Sequence, residues 1–274
     1  MKTKSSVKKP HPSGCGFYRL SVGIGGVFSL YAFIKGCHKA ARKNKQVDIF
    51  IIMMYYNIKR NKDMIYTGGR KMRQLVIYIH GKGGSAEEAK HYEPLFAESD
   101  VIGFDYKSQN PWKAKSEFSH FFDLHSKGYE SVILIANSIG AFLSMSALYD
   151  KKISKALFIS PIVDMEKLIT DMMMWSNVTE DELQSKKEIP TELGETLSWE
   201  YLCYVRKHPI EWSVPTCILY GGKDNLTSKD TISEFTAKIG ATLTVMENGE
   251  HWFHTAEQMK FLDNWVSSSM MSAL

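Results

Sequence analysis

Cysteine is scarce in this 274-residue chain, with four in all, Cys15, Cys37, Cys203 and Cys217, at spacings that form no disulfide framework. The cysteines therefore announce no disulfide-stapled scaffold. No CxxC occurs, no histidine pair has the HExxH spacing of a metal site, and no GxxxxGK[ST] loop is present. These absences remove the zinc-site and P-loop readings, and no metal or cofactor is implied. Acidic residues are nearly missing from the first 73 positions, where 16 Lys and Arg face only Asp48 and Asp63, a net charge of +14. The remainder carries 18 basic and 28 acidic residues, a net charge of −10, so the overall +4 hides a divided chain. An acidic body gives no footprint for nucleic acid.

The basic extension, residues 1–46, leaves several readings open. Its uncharged stretch at 20–34, between Arg19 and Lys35, would reach about 22 Å as a helix, short of a hydrocarbon core of about 30 Å. Lys2, Lys4, Lys8 and Lys9 suit a signal's basic region, yet no A-x-A site follows and GCHKAARKNK is itself basic. Membrane contact through residues 17–37 competes with a dispensable leader, for which Met53, Met54, Met64 and Met72 offer later starts. Cys217, in a strand, reads as a small buried apolar residue and fits a reducing compartment. The expectation is a cytoplasmic protein, with a membrane-anchored form as the alternative.

From residue 75 onward the sequence alternates strand and helix. Strands are predicted near 75–80, 100–106, 131–137, 155–161, 216–221 and 241–247, and helices near 85–98, 113–127, 138–150, 228–239 and 255–268. That order implies a mostly parallel sheet with helices on both faces. About 200 residues bury enough surface to need no covalent staple. The alternation breaks at about 165–212, read as an inserted cap. The domain is expected to span 47–274, since VDIFIIMMYYNIKR and DMIYTGG are candidate preceding strands.

Chemistry concentrates at the C-terminal ends of these strands, the edge where open α/β sheets collect ligands. VILIANSIGAF, 132–142, is a buried strand that turns at Ser138 into a helix, with small Ala136 and Gly140 bracketing the serine. An N-cap serine would explain that run equally well by itself. However, TCILYGGKD ends in Asp224, and ATLTVMENGEH ends in His251. Upstream, LVIYIHGKGG runs into His80 and a glycine-rich loop that lets backbone amides approach an oxyanion. Serine, acid and histidine, each just past a strand, follow a hydrolase order.

On these motifs residues 75–274 resemble the α/β-hydrolase superfamily, closest to its monoglyceride-lipase and serine-aminopeptidase-like branch. The resemblance implies the α/β-hydrolase fold with a helical cap. It makes Ser138 the nucleophile, His251 the general base and Asp224 the carboxylate that orients it. The oxyanion donors would be the backbone amides of Lys82 and Ile139. Ala136 in place of the usual first glycine, and a lysine inside the oxyanion loop, are departures that remove no required atom. The physical logic agrees: a serine hydroxyl needs an adjacent base, imidazole suits neutral pH, and a carboxylate fixes its tautomer.

Rivals exist for each role. Asp164, after ALFISPIVD, is the other strand-end acid. His254 reads as a helix-start residue, with Thr255 and Gln258 at capping-box spacing, as Ser85 and Glu88 are at an earlier helix. His80 is expected to brace the oxyanion loop, and His120 and His125 to be surface or packing residues. In the cap, Met173, Trp175 and Trp199 are candidate pocket residues among Met172, Met174 and Tyr201; the alternative is that they pack the cap onto the body. The expected activity is cleavage of a carboxylic ester, a thioester or a small amide through an acyl-enzyme, with a small-molecule acyl substrate as partner. An aminopeptidase-like amidase, with Glu180, Asp181 and Glu182 as amine site, and a catalytically silent binding module are the alternatives.

Overall fold

A computed structural model describes residues 73–192 and 194–271. The N-terminal extension, the candidate span at 17–37, the alternative starts, the expected boundary at 47, Cys15 and Cys37 all lie outside the described residues. Among the described residues, six parallel strands form the central sheet: β1 (Gln74–Ile79), β2 (Asp100–Phe104), β3 (Ser131–Asn137), β4 (Lys155–Ile159), β7 (Thr216–Gly221) and β8 (Thr242–Met246). Their order is β2-β1-β3-β4-β7-β8, all parallel. Short strands β5 (Glu188–Pro190) and β6 (Thr196–Ser198) form a separate antiparallel pair.

The helices are α1 (Pro111–His125), α2 (Ile139–Ala147), α3 (Met165–Trp175), α4 (Glu180–Lys186), α5 (Trp199–Lys207), α6 (Lys229–Ile239) and α7 (Ala256–Met271). On one face of the sheet, Ile77, Leu134, Phe158 and Ile218 pack with Phe118 and Phe122 of α1, Phe142 and Met145 of α2, and Ile232 and Phe235 of α6. On the other, Val76, Ile133, Ile135 and Leu219 pack with Leu262, Trp265 and Val266 of α7. Continuous apolar strands are what burial on both faces demands. Each such side chain, fully buried, contributes about 1.5–3 kcal/mol. Among the described residues, no helix is long and apolar enough to cross a membrane.

Two expectations change. The helix predicted at 85–98 is two 3₁₀ turns, Ala86–His91 and Glu93–Phe96. Pro94, with no N–H and a ring that crowds the preceding turn, prevents a continuous helix there. The insertion between β4 and β7 is not purely helical, because β5 and β6 form a hairpin between α4 and α5. Strands of three residues are too short to show alternation, so the sequence carried no strand signal. Arg206 of α5 ties the insertion together, reaching Glu166 at 2.7 Å and Glu180 through two bonds of 2.6 and 2.9 Å. Beneath it Leu183, Leu197 and Leu202 are buried.

Candidate active site

The chain leaves β1 for β2 on one side and returns to β3 on the other. The C-terminal ends of β1 and β3 therefore flank the point at which strand order reverses, where open α/β sheets form a crevice. β1 delivers His80 and the HGKGG loop; β3 delivers Ser138.

Ser138 has φ 52° and ψ −121°, a conformation that an L-residue adopts only under constraint. Three backbone bonds supply that constraint. Its N–H donates to the Ile159 carbonyl at 3.0 Å, and its carbonyl accepts from Ala141 at 3.1 Å and Ile162 at 3.2 Å. Gly140 must be glycine, because a Cβ there would sit 2.4 Å from the His80 carbonyl oxygen. The small residue two positions past the serine thus answers to the start of the HGKGG loop. Gly81 of that loop also lies near the serine, less tightly: a Cβ there would meet the Ser138 Cβ at 3.3 Å.

The Ser138 Oγ lies 2.8 Å from His251 Nε2, and His251 Nδ1 lies 2.7 Å from Asp224 Oδ2. Three side chains from the ends of β3, β7 and β8 are brought into one hydrogen-bonded line. The Asp224 side chain has no exposure, and His251 is 16% exposed. The second oxygen of Asp224 accepts the N–H groups of Leu226 at 2.8 Å and Thr227 at 3.1 Å. A carboxylate so held has both oxygens satisfied and one orientation. Ile139 opens α2, where its amide has no intrahelical acceptor. Lys82 is exposed in the turn closed by the Gly84 N–H and Gly81 carbonyl, and its ammonium pairs with Glu195 beside the insertion hairpin.

The rival residues have other partners. Asp164 is the N-cap of α3, accepting the Lys167 N–H at 2.8 Å. His254 is exposed, with its ring stacked on Trp252 and its Nδ1 at 2.7 Å from the Trp252 carbonyl. Thr255 and Gln258 cap the helix that follows. His80 has Nδ1 2.8 Å from the Gly81 carbonyl and stacks on Tyr106, whose hydroxyl donates to the His80 carbonyl at 3.0 Å. Burial pushes the Tyr106 hydroxyl up to about 12, so it stays a donor. Tyr106 was not foreseen; its only signal is its place just past β2. His120 and His125 are exposed on α1, and His125 lies against Phe121.

The candidate pocket residues are not equivalent. Met173 is buried in the core, whereas Trp175, about 200° around α3, is 48% exposed. Trp199 is half-buried at the start of α5. Glu180 is engaged by Arg206 and Glu182 by Lys186, and those bonds hold both carboxyls below their usual range. Asp181 is exposed. Among the described residues, no cluster of His, Cys, Asp or Glu could hold a metal ion.

No protein-family model matches the sequence, and no curated protein matches it. Solved structures do. Est1E from Butyrivibrio proteoclasticus is 14% identical with a TM-score of 0.59, over 75% of this chain and 90% of its own. Alpha/beta hydrolase domain-containing protein 10 from mouse is 17% identical with a TM-score of 0.58, over 72% and 89%. A lipase-esterase related protein from Clostridium acetobutylicum is 16% identical with a TM-score of 0.50, over 71% and 93%. Strand order, the strained turn at Ser138 and these likenesses together identify the architecture: the chain has the α/β-hydrolase fold.

Proposed function

We propose that the protein is a serine hydrolase that cleaves a carboxylic ester, or a thioester or small amide, through an acyl-enzyme. The observation that carries this reading is the line Ser138 Oγ, His251, Asp224, with links of 2.8 and 2.7 Å. Such spacing suits proton transfer from the hydroxyl to the imidazole as the oxygen attacks. Ser138 Oγ adds to the acyl carbon and its proton passes to His251 Nε2. Asp224 holds the opposite ring nitrogen protonated and stabilises the imidazolium. The tetrahedral oxyanion is met by the amides of Lys82 and Ile139, each contributing about 3 kcal/mol. Collapse breaks the bond to the leaving group, which takes the proton from His251. Water then repeats the sequence on the acyl-serine.

The fold likeness supplies a scaffold and does not choose the reaction. The aminopeptidase alternative gains nothing from Glu180 and Glu182, which are already paired with Arg206 and Lys186, and is left with Asp181 alone of the three acids. A fluorophosphonate probe tests the proposal. It should label the wild type and not Ser138→Ala; equal labelling of that variant would remove the assignment. An ester panel run beside aminoacyl amides then divides esterase from amidase.

A further inference from the structure

Tyr78 lies on β1, 2% exposed, on the face it shares with Val76, Ile133 and Ile135. A hydroxyl in such surroundings costs about 1–3 kcal/mol if left unpaired. It is not left unpaired. Its Oη donates to Glu88 Oε2, and Asn137, two residues past the register partner Ile135, lies on the same face of the sheet. Asn137 is the residue before Ser138. Glu88 reaches back in turn: its Oε1 accepts the Ser85 N–H at 3.0 Å, while the Ser85 side chain caps the turn that contains Glu88. The carboxylate also packs on Gly84, where a Cβ would fall 2.6 Å from Oε1. One buried phenol is thereby tied to the end of the HGKGG loop, on the sheet face it shares with the residue preceding the serine. Burial, with Tyr92 and Glu88 adding to it, pushes the phenol well above its ordinary range and keeps it protonated.

We infer that Tyr78 and Glu88 are positioning residues for the oxyanion hole, setting through Ser85 the distance between the Lys82 amide and the Ser138 oxygen. This rests on the hydrolase reading above. The capping box alone would explain the Ser85–Glu88 pair and a filled core would explain a tyrosine ring. Neither calls for the phenol to join the carboxylate. Oxyanion donors act at about 2.7–3.1 Å, and a shift of about 1 Å costs up to 10²-fold. The donor works in the transition state, so its displacement should lower kcat and spare KM.

Tyr78→Phe keeps the ring and removes the link. The readouts are kcat and KM on a nitrophenyl ester, thermal unfolding, and affinity for a trifluoromethyl ketone. Ser138 adds to that ketone's carbonyl carbon, its proton passing to His251, and the oxyanion occupies the same hole. The expected result is a roughly 10- to 100-fold fall in kcat, KM within about twofold, and a parallel fall in ketone affinity. Glu88→Gln retains an acceptor for Ser85 and should keep more of the rate than Glu88→Ala. Wild-type kcat and ketone affinity in Tyr78→Phe would overturn the inference. If that variant does not fold, wild-type kcat in Glu88→Ala would overturn it instead. Ser138→Ala separates the two levels. If it retains turnover and labelling, the hydrolase reading fails; if it is inactive while Tyr78→Phe and Glu88→Ala run at full rate, only the positioning role fails.

Discussion

Replacing Asp224 by Asn tests the proposed triad more sharply than deleting it, because the geometry says what survives. Asp224 Oδ1 accepts the amides of Leu226 and Thr227 at 2.8 and 3.1 Å, and an asparagine carbonyl can accept both. The side-chain NH₂ must then face His251 Nδ1, now 2.7 Å from Oδ2. Two donors cannot share that bond, so the ring places its proton on Nε2, the nitrogen 2.8 Å from Ser138 Oγ. The base is thereby occupied while packing and the two amide bonds persist. Loss of the correct tautomer in another serine hydrolase costs about 10⁴ in kcat, equivalent to about 5.4 kcal/mol of transition-state stabilisation. The control is Asp164→Asn. Asp164 only caps α3, and asparagine caps equally well, so kcat and thermal stability should hardly move. Steady-state kinetics on a nitrophenyl ester, with thermal unfolding alongside, decides the matter. A larger kcat loss in Asp164→Asn than in Asp224→Asn would refute the assignment of the acid.

Four further outcomes are expected. His251→Ala should lower kcat by about 10⁴ to 10⁶, as loss of the base does in other triads, while His254→Ala, which loses a surface stack, should retain most of the rate in the same assay. Ser138→Gly should unfold at a higher temperature than Ser138→Ala although both are inactive, because only glycine relieves a φ of 52°; a lower midpoint for glycine would mean that the turn is not strained. Trp175→Ala should shift the preferred acyl length across a series of nitrophenyl esters if this half-exposed ring lines the acyl site, each buried methylene contributing about 0.8 kcal/mol; an unchanged profile would leave Trp175 as surface. Arg206→Ala should speed proteolytic nicking within the insertion, and the difference from wild type should fade as pH falls through the depressed pKa of Glu180, since protonation of that carboxylate removes the pair in the wild type as well.

The sheet was legible because its strands are buried on both faces and read as continuous apolar runs. β3 is the clearest, with Val132 to Ala136 all buried. The elbow was legible for a different reason: backbone crowding at Gly140 leaves no choice of residue, so the Ser-x-Gly pattern is written in the sequence. Less was readable where a partner comes from afar. Lys82 and Glu195 are 113 residues apart, and nothing local to either announces the ion pair. Tyr78 reads as one more apolar strand residue, since a ring in a buried run looks the same whether or not its hydroxyl carries a network. Glu88 was read as half of a capping box, which it is. Its second oxygen, turned to Tyr78, obeys no spacing rule.

The same parallel topology explains why residues at 80, 138, 224 and 251 meet at all. Every described strand of the main sheet runs the same way, so their C-terminal ends open on one edge, and short loops of strand-end residues need span only neighbouring ends. β3 and β7 are separated by β4 alone, and β8 lies next to β7. Asp224 and His251 therefore approach Ser138 across the end of β4. That end is itself unusual: Ser160 has φ 42°, is fully buried, and donates its N–H to the Leu219 carbonyl at 2.8 Å. Two adjacent strands thus leave the sheet through positive-φ serines. Each such residue costs about 1–3 kcal/mol and persists only where surrounding bonds over-determine it. At Ser138 three backbone bonds do so, and the bend they hold carries the hydroxyl to 2.8 Å from His251 Nε2, whose other ring nitrogen lies 2.7 Å from Asp224.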